Sequence, residues 1–158
     1  MQPWYLCTLA VAEQLYDALH TWSSIGSLSI TSTSLPFFQT FLSSAAVGTY
    51  ASSTSTYSTL TSAIQTYADG FVNIVAEYTP SGGGLAEQFS RSNGAPLSAL
   101  DLTWSYASAL TAFEARNNTA FKSWGAKGLT AAASCQTGPA AVAVTFVVDA
   151  TTVLGGAF

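Results

Sequence analysis

Glu87 is the residue whose setting points most directly to chemistry. It lies in Leu85-Ala86-Glu87-Gln88-Phe89, after Gly82-Gly83-Gly84 and before Asn93-Gly94, with no lysine beside it. A carboxylate among glycine and apolar neighbours suits general acid or base work, and glycoside hydrolysis places two such groups across the scissile bond. Alternation of Leu85, Glu87 and Phe89 predicts a strand over 85–92, with the carboxylate on the same side as two apolar side chains. Asn93-Gly94 is a tight-turn signal. A solvated loop carboxylate is the plainer reading of Glu87. No other acid is a convincing partner: Glu13, Asp17, Asp69 and Glu77 fall in helical patterns, Asp101 in a helix start, and Glu114 and Asp149 at the periphery. Trp4, Trp22, Trp104 and Trp124 have flat faces that stack on sugar rings, although a core role is the plainer reading of any single one.

Other chemistries find little support. Charged residues make up 8% of the 158 positions, with a net charge of −4, against about 25% in ordinary globular proteins. Arg91, Arg116, Lys122 and Lys127 cannot assemble a basic patch, which excludes nucleic acid as a partner. A single histidine, His20, and two distant cysteines, Cys7 and Cys135, offer no metal-ligand spacing, so neither metal nor cofactor is expected. With hydroxyls rather than charges solvating its surface, the chain reads as secreted and open to glycosylation. No apolar run approaches the roughly 20 residues of a membrane span. Tyr5 to Ala12 mimics a signal peptide, but no positive residue precedes it and the apolar pattern continues to Trp22, as one helix would.

Four helices must then position the candidates. The first is expected over about 3–22, with apolar residues on most of its circumference and hence burial on more than one side. The second spans about 34–42, with Ser34 as cap and Pro36 in the first turn. The third spans about 56–78, where Tyr57, Leu60, Ile64, Tyr67, Phe71, Val75 and Tyr78 mark one face. For the fourth, Ser98 and Asp101 read as a capping box and Leu97 with Leu102 as a hydrophobic staple, the helix ending near Arg116. Val142, Val144, Phe146 and Val148 alternate like a strand. Helices this apolar resemble part of a layered barrel more than a finished bundle.

The string PWYLCTLAVAEQLYDAL (Pro3 to Leu19) resembles a helix of fungal glucoamylases. GTYASSTSTYSTL, ADGFVNIV and LAEQFSRSNGAPLSALDLTWSYASALTA continue the likeness in order, over about 3–124. The resemblance implies a mostly α fold, about the last third of an (α/α)6 barrel, and an inverting exo-hydrolase. Such an enzyme releases terminal glucose from the α-1,4 links of starch and maltooligosaccharides, as a secreted monomer. On that resemblance Glu87 corresponds to the general base and Ser98 to a serine that hydrogen-bonds it. Trp4 and Trp104 correspond to aromatics lining the glucose pocket, and Gln88 is a further substrate-binding candidate. The family's general acid and an arginine clamp belong to sequence preceding these residues. Ala86 stands where some members have serine, and Leu100 where they have arginine.

The likeness implies three parts: residues 1–127 from the catalytic barrel, 128–140 as a short linker, and 141–158 as the first strand of a starch-binding β-sandwich. AVAVTFVVDATTVLG (Ala141 to Gly155) carries the last of these. Cys7, inside a barrel helix as a buried thiol, and Cys135, matched to a cysteine with a partner elsewhere in the family, are expected to stay unjoined. The first helix, having lost a neighbour, is expected to expose Trp4, Leu6, Leu9, Leu15, Tyr16, Leu19 and Trp22. Two other readings compete: a non-catalytic fragment, and a small secreted Ser/Thr-rich protein without activity. The secreted reading also makes Asn117-Asn118-Thr119, the one glycosylation sequon, a modification site. Secretion from a eukaryotic host followed by glycosidase digestion is expected to lower the mass, and Asn117→Gln to abolish that change. A mass indifferent to digestion would count against secretion.

Overall fold

The computed structural model describes residues 1–119. Its elements in chain order are α1 (Tyr5–Ile25), β1 (Ser27–Ile30), α2 (Leu35–Gln39), β2 (Gly48–Ala51), α3 (Ser55–Tyr78), β3 (Gln88–Phe89), β4 (Pro96–Leu97) and α4 (Thr103–Arg116). The linker, the 141–158 strand, Trp124 and Cys135 lie outside the described residues.

α1 packs against both α3 and α4. Its buried residues Tyr5, Leu9, Ala12 and Tyr16 recur at helical spacing, and small residues face them: Ala68 from α3, and Ala109, Ala112 and Ala115 from α4. Methyl-sized side chains let the helix backbones approach closely and leave no gap to fill. α1 stops at Gly26, which adopts φ 75° and donates its N–H back to Trp22 and Ser23 carbonyls. That is the left-handed end a glycine accepts without penalty.

Three apolar clusters follow one another along α1. Tyr5 and Leu9 join Val75, Leu85, Ala86, Phe89, Ala109 and Ala112. Ala12 and Tyr16 join Ala68 and Ala115. At the far end Leu28, Ile30, Phe38, Ala45, Leu60 and Ile64 are capped by Leu15, Leu19 and Trp22. Leu28 and Ile30 enter that last cluster from β1, which pairs antiparallel with β2 in the register Leu28 to Tyr50 and Ile30 to Gly48.

Several expectations need correction. β1 and β2 are absent from the helix-only reading of residues 27–51, because four-residue strands are too short for a period to show. Ser34 does not cap α2: its hydroxyl is engaged with Thr31 instead. On α3 the buried stripe runs through Leu60, Ile64, Ala68 and Val75, and Tyr67 lies outside it at 46% exposure. Cys7 is exposed rather than buried. α1 does not present the expected apolar row, since Leu9 and Tyr16 are buried and Trp4, Leu6, Leu15, Leu19 and Trp22 half-buried.

Of the helices' large exposed apolar residues, α1 carries Val11 and Ile25 and α2 carries Phe37, while α3 and α4 carry Tyr67, Ile74, Trp104, Leu110 and Phe113. α4 buries its small side chains, Ser105, Ser108, Ala109, Ala112 and Ala115, and turns Trp104, Leu110 and Phe113 outward, with Tyr106 half-buried against the core. Leu110 and Phe113 line an apolar groove of about 610 Å³ with Val72, Val75 and Ala76 of α3.

A polar tie links the middles of α1 and α3 to the last residue of α4. Asp69 Oδ1 accepts from Tyr16 Oη at 2.7 Å and from Arg116 Nε at 2.9 Å. The Arg116 guanidinium first, and then the Tyr16 hydroxyl, hold the Asp69 carboxyl below the ordinary value of 3.8. Burial, with the carboxylate beside it, pushes the Tyr16 hydroxyl up to about 12 and so keeps it a donor. A carboxylate whose pKa is depressed on folding adds stability above its unfolded pKa, and that stability fades as pH falls through the folded value. Arg116 is half exposed, so solvent screens the pair and Asp69→Ala is expected to cost only about 1 kcal/mol at neutral pH. Thermal melts below about pH 4 should show the variant and parent converging.

Candidate functional site

The segment between α3 and α4 carries Glu87 and is held along its whole length by hydrogen bonds. Glu87 N–H donates to Ala99 O at 2.8 Å, and Leu102 N–H to Leu85 O at 2.9 Å. β3 and β4 pair antiparallel, Gln88 with Leu97 and Phe89 with Pro96. Ser90 and Ala95 close the turn, in which Gly94 has φ 72°. On the other edge Phe89 N–H donates to Pro3 O at 3.1 Å, Trp4 forms a bridge to Gln88, and Arg91 N–H donates to Gln2 Oε1. The entry to α1 therefore runs beside the hairpin, bridged to it at Trp4 and Gln88.

The regular strand is two residues long, not the eight expected over 85–92. Leu85 and Ala86 are taken by the first turn of α4 instead. Ser105 Oγ, fully buried, donates to Ala86 O at 2.8 Å, and Tyr106 Oη accepts from Leu85 N–H at 3.1 Å. Leu85, Ala86 and Phe89 all enter the core, so burial does not alternate, and Glu87 and Gln88 are left half-buried between them.

The Glu87 carboxylate accepts a hydrogen bond at Oε2 from the Ser98 hydroxyl. Among the described residues no other donor reaches the carboxylate, so Oε1 keeps its lone pairs free. That suits a group that takes a proton from water while its partner oxygen is held still. Ser98 does not also cap α4. The helix begins at Thr103 after Leu102, with no side-chain cap. Ser98 and Asp101 lie at φ 66° and 56°, and such left-handed residues cannot form a helix's first turn.

Four of the five predicted active-site residues meet here. Glu87 and Ser98 touch directly, Gln88 follows the base, and Trp4 joins Gln88 through the backbone. Trp104 stands in the first turn of α4, 64% exposed, and lines a shallow groove with Leu6, Ala10 and Glu13 of α1. It shares no hydrogen bond with the other four. Asn117 caps the opposite end of α4 and is exposed, 13 residues and so roughly 20 Å from Trp104. Three of the acids read as weak partners for Glu87 are engaged elsewhere: Glu13 accepts from Thr111, Asp69 from Arg116, and Asp101 from Tyr106. Asp149 lies outside the described residues.

Sequence reasoning missed Ser105 and Tyr106. Tyr106 falls in the helical period as an ordinary core aromatic, and a serine in a helix carries no signal of what it bonds.

The sequence profile of glycosyl hydrolases family 15 matches residues 2–114. The chain belongs to this family. Glucoamylase-1 of Schizophyllum commune is 61% identical over 97% of the chain, and the Glucoamylase of Neurospora crassa is 60% identical over 78%. The family 15 glucoamylase structure from Hypocrea jecorina superposes with a TM-score of 0.73 at 54% identity, covering 75% of the chain. The family 15 chain spans 28% of the first relative's length and 20% of each of the other two. Its mostly helical architecture is accordingly a part of the family's (α/α)6 fold.

The hairpin's fit against α3 is testable. Tyr78 stacks on Phe89 at 4.8 Å, and a Cβ added at Gly94 would stand 2.7 Å from Tyr78 Cε1. Gly94→Ala adds that clash to a left-handed backbone and is expected to destabilise by about 2–4 kcal/mol. Gly82→Ala, where a Cβ meets nothing within 4 Å, should stay within about 0.5 kcal/mol in the same urea titrations.

Proposed function

We propose that this chain carries the general-base half of a glucoamylase-type active site, with Glu87 as the base. The single observation that carries the reading is the Ser98–Glu87 hydrogen bond in the ordered loop between α3 and α4, in a chain of family 15. In the reaction, Glu87 Oε1 takes a proton from water as the water oxygen attacks the anomeric carbon of a terminal glucose. The C–O bond to the next sugar breaks on the opposite face, and an acid protonates the leaving oxygen. The product is β-glucose, released from the ends of starch or maltooligosaccharide chains. Ser98 holds Oε2 so that Oε1 points to one place. Trp4, Trp104 and Gln88 supply walls and polar contact for the sugar.

The acid is supplied by sequence outside these residues, and the open α3–α4 groove is the face on which further helices of the barrel pack. Turning Leu110 and Phe113 outward while burying alanines makes sense for a helix with a second neighbour. Alone, the chain is then hydrolytically silent. Secretion is supported by the hydroxyl-rich, charge-poor composition and by the absence, among the described residues, of a helix long and apolar enough to cross a membrane. Residues 128–140 as linker and 141–158 as the start of a starch-binding module complete the proposal.

The decisive experiment places the chain in a chimera, substituting it for the matching segment of the Schizophyllum commune Glucoamylase-1. Glucose release from maltose is expected in the chimera, and Glu87→Gln should reduce kcat by about 10²–10⁴-fold. The purified 158-residue chain should release none. A chimera indifferent to Glu87→Gln, or release by the chain alone that Glu87→Gln abolishes, would overturn the reading.

A further inference from the structure

One oxygen atom ties together the two segments that form the Glu87–Ser98 pair. Tyr106 Oη accepts the Leu85 N–H at 3.1 Å and donates to Asp101 Oδ1 at 2.6 Å. Leu85 lies two residues before Glu87, and Asp101 three residues after Ser98. Any shift of the phenol is therefore felt on both sides of the hydrogen bond that orients the carboxylate.

Three further features bear on the same spot. Asp101 and Ser98 hold left-handed backbones, at φ 56° and 66°, which non-glycine residues keep only when surrounding bonds enforce them. The Tyr106–Asp101 bond is such a constraint. Gly84 leaves room for the aspartate: a Cβ there would stand 3.0 Å from Asp101 Oδ1 and 3.9 Å from Tyr106 Oη. The hydrogen bond to Asp101 raises the Tyr106 pKa, so the phenol stays a donor. Meanwhile the Tyr106 ring packs on the core cluster around Tyr5 and Leu9, which anchors the oxygen to the rigid part of the fold.

We propose that Tyr106 and Asp101 are positioning residues for Glu87, setting the placement of its carboxylate through Leu85 on one side and Ser98 on the other. The inference rests on Glu87 being the base. Neither residue acts on the sugar itself. A carboxylate displaced by a fraction of an ångström keeps its charge but loses alignment with the attacking water, and this lowers turnover more than binding.

In the chimera, Tyr106→Phe keeps the packed ring and removes only the oxygen. It is expected to lower kcat about 10-fold with KM changed less than about twofold. Asp101→Ala should behave alike. Asp101→Asn should restore kcat to within about threefold, because the amide oxygen still accepts from Tyr106 and asparagine tolerates the left-handed backbone. Gly84→Ala, which crowds Asp101 from the other side, gives the same kcat-weighted loss if Tyr106→Phe proves poorly folded. In the 158-residue chain, amide exchange at Leu85 and Glu87 should quicken in Tyr106→Phe relative to Ile64 and Ala68.

A residue that merely stabilised the fold would lower the melting temperature and leave kcat per folded site intact. That result, a rise in KM alone, or equal losses for Asp101→Ala and Asp101→Asn would overturn the proposal. Glu87→Gln separates the two ideas. If it leaves the chimera active, the base assignment falls. If it silences the chimera while Tyr106→Phe turns over normally, only the positioning role falls.

Discussion

Tyr5 and Leu9 have no accessible surface, and they sit where α1 meets the end of α3, the hairpin and α4 at once. Their burial fixes the angle at which the chain leaves Trp4 and enters the helix, and Pro3 and Trp4 are the residues that pair with the hairpin edge. Phe89 closes the arrangement from the hairpin side, 4.9 Å from the Tyr5 ring and stacked on Tyr78. The Tyr5 hydroxyl donates to the Tyr78 carbonyl at the end of α3, where an unpaired backbone acceptor would otherwise remain. Take away this cluster and the loop bearing Glu87 has nothing firm to lie against.

Polar order in this chain is carried by hydroxyls. Ser105 secures Ala86 from inside the core, Ser108 reaches the Leu6 carbonyl, and Thr111 bonds Glu13 across the α1–α4 contact. Hydroxyls both donate and accept, and they are cheap to bury once paired. Among the described residues no buried side-chain polar atom lacks a partner. A scaffold so poor in charge can thus hold one carboxylate in a half-buried place without a lysine or arginine competing for it.

Helix existence was legible from the sequence, and helix faces were not. The periods of α1 and α3 stood out because large apolar residues recur in them at helical spacing. The face of α4 was hidden because its buried side is its small side: alanine and serine carry little hydrophobic signal, while Trp104, Leu110 and Phe113 are exposed. Ser98 and Asp101 have the residue types of a capping box, yet both are left-handed turn residues with other bonds to make. β1 and β2 left only the trace of Gly26 followed by Ser-Leu-Ser-Ile. At the site, Glu87 was legible from its setting and Ser98 through family resemblance. The contribution of Tyr106 lies in one phenol oxygen, which no spacing rule distinguishes from the ring that carries it.

The groove between α3 and α4 also bears on how the chain behaves among copies of itself. With a net charge of only −4 and an isoelectric point near 4.5, mutual repulsion between molecules is weak and vanishes in mildly acidic surroundings. An apolar trough of this size is then opposed by little that keeps two chains apart. Colloidal stability therefore narrows the range of pH and concentration over which the isolated polypeptide stays dispersed.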